Sequence, residues 1–119
     1  MAFRFENLEI WQMARAYATN IYTASAKFPP KEDFGLTSQM NRAVNSISLN
    51  IAEGAAKKSN KAFDYHLEIA LGSGCEVVAA AFLALDRAYI LQQEQLELYN
   101  EAERLCKSIN AFRNSLAPR

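Results

Sequence analysis

The sequence predicts a single all-α domain of four helices, and three observations carry that reading. Apolar residues recur at three- and four-residue steps through four long stretches. Two of the gaps between them hold helix-ending residues, Pro29-Pro30 in one and Gly54 with a lysine-rich turn in the other. No stretch alternates with the period of a strand, and no internal repeat is present. With 119 residues, half of them apolar and 22% charged, residues 1–119 suffice for one sizeable core and form one domain.

Helix 1 is expected to start near Asn7, with Asn7 as N-cap and Glu9 in the first turn. Leu8, Trp11, Ala14, Ala18, Ile21, Tyr22 and Ser25 make its apolar face, and Phe28 precedes the two prolines that end it. Residues 29–35 form a short connector. Helix 2 begins at Leu36 or Thr37. At 100° per residue, Leu36, Met40, Ala43, Val44, Ile47 and Ile51 fall within a face about 100° wide. A second, polar stripe runs beside it through Gln39, Arg42, Ser46, Asn50, Glu53 and Lys57. Leu49 and Ala52 lie on a third face, so helix 2 is not cleanly amphipathic and more than one side of it is available to be covered.

Ser59 or Asn60 is positioned to cap helix 3, which is expected from Lys61 to about Tyr89. Gly72 and Gly74 each disfavour a helix interior by about 1 kcal/mol relative to Ala, and a break there would give five shorter helices. Phase decides for one long helix. Phe63, Leu67, Ala70, Leu71, Gly74, Val77, Val78, Ala81 and Leu85 stay on one stripe straight through the glycines. Tyr65, Ile69, Gly72, Glu76, Ala79 and Leu83 make a second stripe on the opposite side. A helix that is apolar on two sides is covered on two sides. In a bundle of this size the second cover is expected to be another subunit, with Gly72 and Ala79 allowing close backbone approach. Residues 88–93 hold neither Gly nor Pro and leave the next boundary loose. Helix 4 follows from about Glu94 to Leu116, with Leu98, Ala102, Leu105, Ile109, Phe112 and Leu116 facing the core and Pro118 after it.

Charge is balanced, 13 basic against 13 acidic residues, so no global field draws in nucleic acid or a membrane. Residues 1–61 hold eight Lys or Arg against five Asp or Glu, and residues 62–119 reverse those numbers. Lys57, Lys58 and Lys61, with Arg42, are the candidate nucleic-acid contacts; the plain reading of the lysines is a solvated turn. Cys75 and Cys106 sit in predicted helices without Cys-x-x-Cys spacing, which suggests free thiols in a reducing compartment. The first six residues have no signal-peptide apolar run, and Val77 to Leu85 is too short to cross a bilayer. The expectation is a soluble cytoplasmic protein.

Nothing in the chain assembles a catalytic motif. His66 is the single histidine, with no nucleophile at a pairing distance in sequence, and reads as a surface or interface residue. A Glu-x-x-His di-metal site fails because Phe63 stands three residues before that histidine. Glu53 and Glu76 could meet as paired carboxylates, but no substrate cleft is implied. Gly72-x-Gly74 lies inside a helix and is not a phosphate cradle. No enzyme activity, cofactor, metal or small-molecule substrate is expected. Asn50, Glu53, Ser73 and Glu76 are read instead as a structural polar network between helices 2 and 3 or across subunits, because buried polar groups must find partners.

Several stretches together resemble one family: 5–12 (FENLEIWQ), 28–32 (FPPKE), 35–40 (GLTSQM), 46–54 (SISLNIAEG) and 70–76 (ALGSGCE). The chain is similar along nearly its whole length to the four-helix-bundle proteins encoded in intervening sequences of bacterial 23S ribosomal RNA genes. That resemblance implies an up-down antiparallel four-helix bundle assembling into a homopentamer, without a settled activity. A related bundle, the accessory protein of diversity-generating retroelements, implies a basic ring that binds nucleic acid. The zero net charge here departs from it. The leading reading is a non-enzymatic, self-assembling protein, and the alternative is an RNA- or DNA-binding ring using the basic residues near the helix 2–helix 3 turn.

Overall fold

The computed structural model describes residues 2–116, and among these the fold is four helices and no strand. α1 spans Glu9–Ser25, α2 Leu36–Ala55, α3 Asn60–Asp86 and α4 Gln92–Ser115, with 3-10 turns at Arg4–Asn7 and Pro30–Glu32. α1 packs on α2 and α4, and α3 packs on α2 and α4, while the diagonal pairs stay apart. Short connections between neighbours make this an up-down antiparallel bundle. Its long axis is 46 Å, close to the roughly 40 Å that 27 residues of helix would rise.

The stripes on α2 and α3 lie where their periodicity puts them. Met40, Val44, Ile47, Ile51, Phe63, Leu67 and Val77 are among the largest fully buried side chains. α3 runs unbroken through Gly72 and Gly74. By length and composition it would pass for a membrane span, but its Phe63, Leu67, Val77 and Ala84 stripe is the middle of this core. Ser59 caps it, its side chain accepting from the Ala62 amide at 3.1 Å.

α1 departs from expectation in phase and start. Ile10, Ala14, Tyr17, Ile21 and Ala24 are buried, whereas Tyr22 is 70% exposed. Tyr17 is wholly buried because its hydroxyl has a partner, the Leu98 carbonyl on α4 at 3.1 Å. Burial, then the nearby Glu101, holds that phenol well above its usual pKa. Asn7 is not the N-cap. It ends a 3-10 turn held by the Phe5–Trp11 ring contact, with centroids 4.7 Å apart, and α1 starts after Leu8. The helix stops at Ser25, before Phe28, where the Ser25 hydroxyl accepts from Asn41 on α2 at 2.9 Å.

Within the bundle itself, Gly72 is not among the crowded glycines. A Cβ at Gly72 would meet nothing within 4 Å, so no backbone crowds it inside the bundle. Close approach occurs at Gly54 instead, where a Cβ would lie 2.8 Å from both the His66 Cβ and the Phe63 ring. Gly74 is the second such place, 3.1 Å from the Cys106 sulfur.

One end of the bundle is tied across its two connectors. Glu32 accepts from the Tyr89 hydroxyl at 2.7 Å, the Arg87 guanidinium at 3.1 Å and the Leu36 amide at 3.1 Å. The Tyr89 hydrogen bond first, then the Leu36 amide, holds this carboxyl below its ordinary range. α3 ends beside it without glycine. Ala88 takes φ 60°, and the Ala88 and Tyr89 amides donate back to the Leu85 and Ala84 carbonyls, each at 2.9 Å. That pattern is a Schellman cap with alanine in the left-handed position. An L-residue there costs about 1 kcal/mol relative to glycine. Ala88→Gly is therefore expected to raise the melting temperature by a few degrees in a thermal scan; an unchanged or lower value would count against the cap. α4 begins two residues before Glu94, and Phe112 and Leu116 are half-buried against the core while Leu98, Ala102, Leu105 and Ile109 lie within it. Pro118 falls outside the described residues.

Candidate functional site

Two surfaces of the α2–α3 pair carry the features of interest, a polar chain in the groove and an apolar strip outside it. The groove register is fixed by contacts. Gly54 lies against Phe63, Asn50 against His66 and Ser46 against Ser73, so α3 rises as α2 descends.

Within the groove, Asn50 Nδ2 donates to the Ser46 carbonyl at 2.9 Å and to the Ser46 hydroxyl at 3.0 Å. Its Oδ1 therefore faces His66 Nδ1, 3.1 Å away, and the ring proton assigned to that contact sits on Nδ1. On the other side of the ring, Nε2 lies 3.8 Å from a Glu53 carboxylate oxygen, which Lys57 also approaches at 3.8 Å. The Ser73 hydroxyl donates to that of Ser46 at 2.8 Å. A chain of polar contacts thus runs Ser73, Ser46, Asn50, His66, Glu53.

Of the four residues singled out from sequence, Asn50, Glu53 and Ser73 belong to this chain, and Glu76 stands outside it. Glu76 is exposed and lines a shallow cleft with Gln39, Arg42, Ser46 and Ser73. Glu53 lies at the level of His66, so ten residues of α3, about 15 Å of rise, separate it from Glu76. The two carboxylates do not meet. Ser46 and His66 complete the chain and were not assigned to it from sequence. Spacing did place Ser46 on the polar stripe of α2; only the helix register brings His66 opposite Asn50. Among the described residues no three His, Cys, Asp or Glu side chains are grouped to hold a metal.

Asn50→Ala would leave the His66 Nδ1 proton and the Ser46 hydroxyl short of partners in a half-buried groove. The expected loss is about 1–2 kcal/mol, read as a lower midpoint in urea denaturation. An unchanged midpoint would make the chain surface decoration.

The basic residues split into two places. Lys57 and Lys58 are exposed in the α2–α3 turn and Lys61 is exposed in the first turn of α3. Arg42 lies fifteen residues earlier on α2, about 22 Å along the axis, in the cleft with Glu76. A single ligand cannot take all four at one contact point.

Outside the groove, α3 presents Tyr65 at 63% exposure, Ile69 at 36% and Leu83 at 43%. Gly72 and Ala79 fill the same side without covering it. On α2, Leu49 is 66% exposed, and the register puts it level with Ile69. The strip therefore runs along α3 and widens onto α2 near its middle.

A family model described as 23S rRNA-intervening sequence protein matches residues 6–111. Among solved structures, the chain is similar to a protein of unknown function from the S23 ribosomal protein family of Bacteroides thetaiotaomicron. The TM-score is 0.81 at 20% sequence identity, over 89% of this chain and 99% of that one. At that identity the likeness speaks for the fold. No curated protein matches the sequence.

Proposed function

The chain belongs to the 23S rRNA-intervening sequence protein family, and from that premise we propose that it acts without catalysis, as a bundle that assembles with copies of itself. The assembly is a closed ring, and five is the subunit number that the family resemblance implies. One observation carries this reading: the apolar strip of Tyr65, Ile69, Leu83 and Leu49, left in water by a bundle whose core is already complete. An exposed apolar strip of this kind marks an interaction surface. A repeated heterologous contact that closes covers it on every subunit. Amine-reactive cross-linking of dilute protein, run on a denaturing gel, should give a ladder ending at five. A ladder ending elsewhere refutes the number, and the absence of cross-linked species refutes the assembly.

A second reading rests on the exposed Lys57, Lys58 and Lys61 at one end of the bundle. A ring would repeat that spot on each subunit and offer it to a phosphate backbone. Three lysines per subunit on a chain of zero net charge support only weak, salt-sensitive and sequence-independent contact. Fluorescence anisotropy with labelled RNA and DNA is expected to show binding that fades as salt rises. Tight, salt-resistant binding of one defined RNA would overturn that expectation.

A further inference from the structure

Cys75 and Cys106 lie at one level of the neighbouring helices α3 and α4, on the walls of one groove, and helix register is what places them there. Phe82 on α3 meets Tyr99 on α4 edge to face, with ring centroids 6.2 Å apart. Cys75 comes seven residues before Phe82, and Cys106 seven residues after Tyr99. Seven residues are nearly two turns, so each cysteine shares a helix face with its aromatic neighbour, about 10 Å further along. Because the helices are antiparallel, both steps run in the same direction in space. The Arg113–Asp64 ion pair, 2.6 Å, holds the same register from the far side. Between these anchors the helices close up at Gly74, where a Cβ would lie 3.1 Å from the Cys106 sulfur. That sulfur thus rests on the α3 backbone one residue from Cys75. Both cysteines line one apolar groove with Val78, Phe82 and Tyr99. Both are free thiols, Cys75 exposed and Cys106 half-buried.

We propose that Cys75 and Cys106 form a thiol–disulfide pair, which a small disulfide oxidant converts into an intrachain bond stapling α3 to α4. The exposed Cys75 thiolate attacks one sulfur of glutathione disulfide; that S–S bond breaks and one glutathione leaves as its thiolate. Cys106 then gives up its proton to water, and its thiolate attacks the Cys75 sulfur of the mixed disulfide. The second glutathione thiolate departs. Two protein thiols have lost two electrons and two protons, and glutathione disulfide has become two glutathiones. Burial, with the neighbouring Cys75 adding to it, pushes the Cys106 thiol above its ordinary range. This orders the steps, with Cys75 reacting first and Cys106 resolving. The closed loop takes in the α3–α4 turn and restricts the unfolded chain, so the oxidised form is the more heat-stable one. The pair lies on the α4 side of α3, and the inference is independent of self-assembly.

The test treats the purified full chain with glutathione disulfide and reads intact mass, mobility on a non-reducing gel and melting temperature. The expected product has lost two hydrogen masses, runs as a single chain, melts several degrees higher and reverts with dithiothreitol. Cys106→Ser should instead keep one glutathione on Cys75, because nothing resolves it. A lasting glutathione adduct on the parent chain, disulfides between chains, an unchanged mass, or an oxidised form that melts lower than the reduced one would each overturn the proposal.

Discussion

Ile69→Lys combined with Leu83→Lys is expected to give a folded subunit that no longer associates. Neither side chain belongs to the core, at 36% and 43% exposure, and lysine is a good helix former. Far-ultraviolet circular dichroism should therefore keep its helical signature, and unfolding should stay cooperative. At a buried contact between subunits the same two lysines would be desolvated without partners. That penalty is on the order of 3 kcal/mol or more, a weakening of association of a hundredfold or beyond. Gly72→Leu probes the same face by shape alone. Nothing lies within 4 Å of its Cβ position, so the single bundle has room for the new side chain, and only a neighbouring subunit would be displaced by it. If both variants elute at the parent's mass, the α3 strip is not the contact.

Gly54→Val is expected to be the most damaging single change to the bundle itself. Its Cβ would stand 2.8 Å from the His66 Cβ and 2.8 Å from the Phe63 ring. Phe63 is wholly buried, so the ring has no free volume to move into, and α2 must back away from α3. Overpacking of that kind costs about 3 kcal/mol, roughly 10 °C in melting temperature for a domain of this size. The shift would also stretch the Asn50–His66 contact next to it. Gly72→Val is the matched control when both are made in the Ile69→Lys, Leu83→Lys background, where the subunit stands alone: the helix-propensity change is the same and nothing within the bundle is crowded. Equal melting temperatures for the two variants would contradict the α2–α3 crossing described above.

The fold was legible where phase persists over many turns. On α2 and α3 the apolar residues keep one stripe for five turns or more, so local steric rules and core position agree. α1 was less legible because Ile21 and Tyr22 are both apolar and adjacent; which of them faces inward depends on α4. Tyr17 becomes a core residue only because Leu98 supplies an acceptor. Ala88 carries no sequence mark of a left-handed cap, since glycine is the residue that announces one. The candidate site shows the same division. Arg42, Ser46 and Asn50 are spaced for one helix face, which the sequence states directly. His66 joining Asn50, and Glu76 missing the chain, follow from the register of two antiparallel helices, as does the crowding at Gly54.

In the proposed ring, copies of this chain cover the outer face of α3. Light scattering on the size-exclusion peak of the unmodified protein, at micromolar concentration, measures this most directly. The expected mass is a multiple of the 13.3 kDa subunit, five times for the ring. A peak at the mass of one subunit would contradict it.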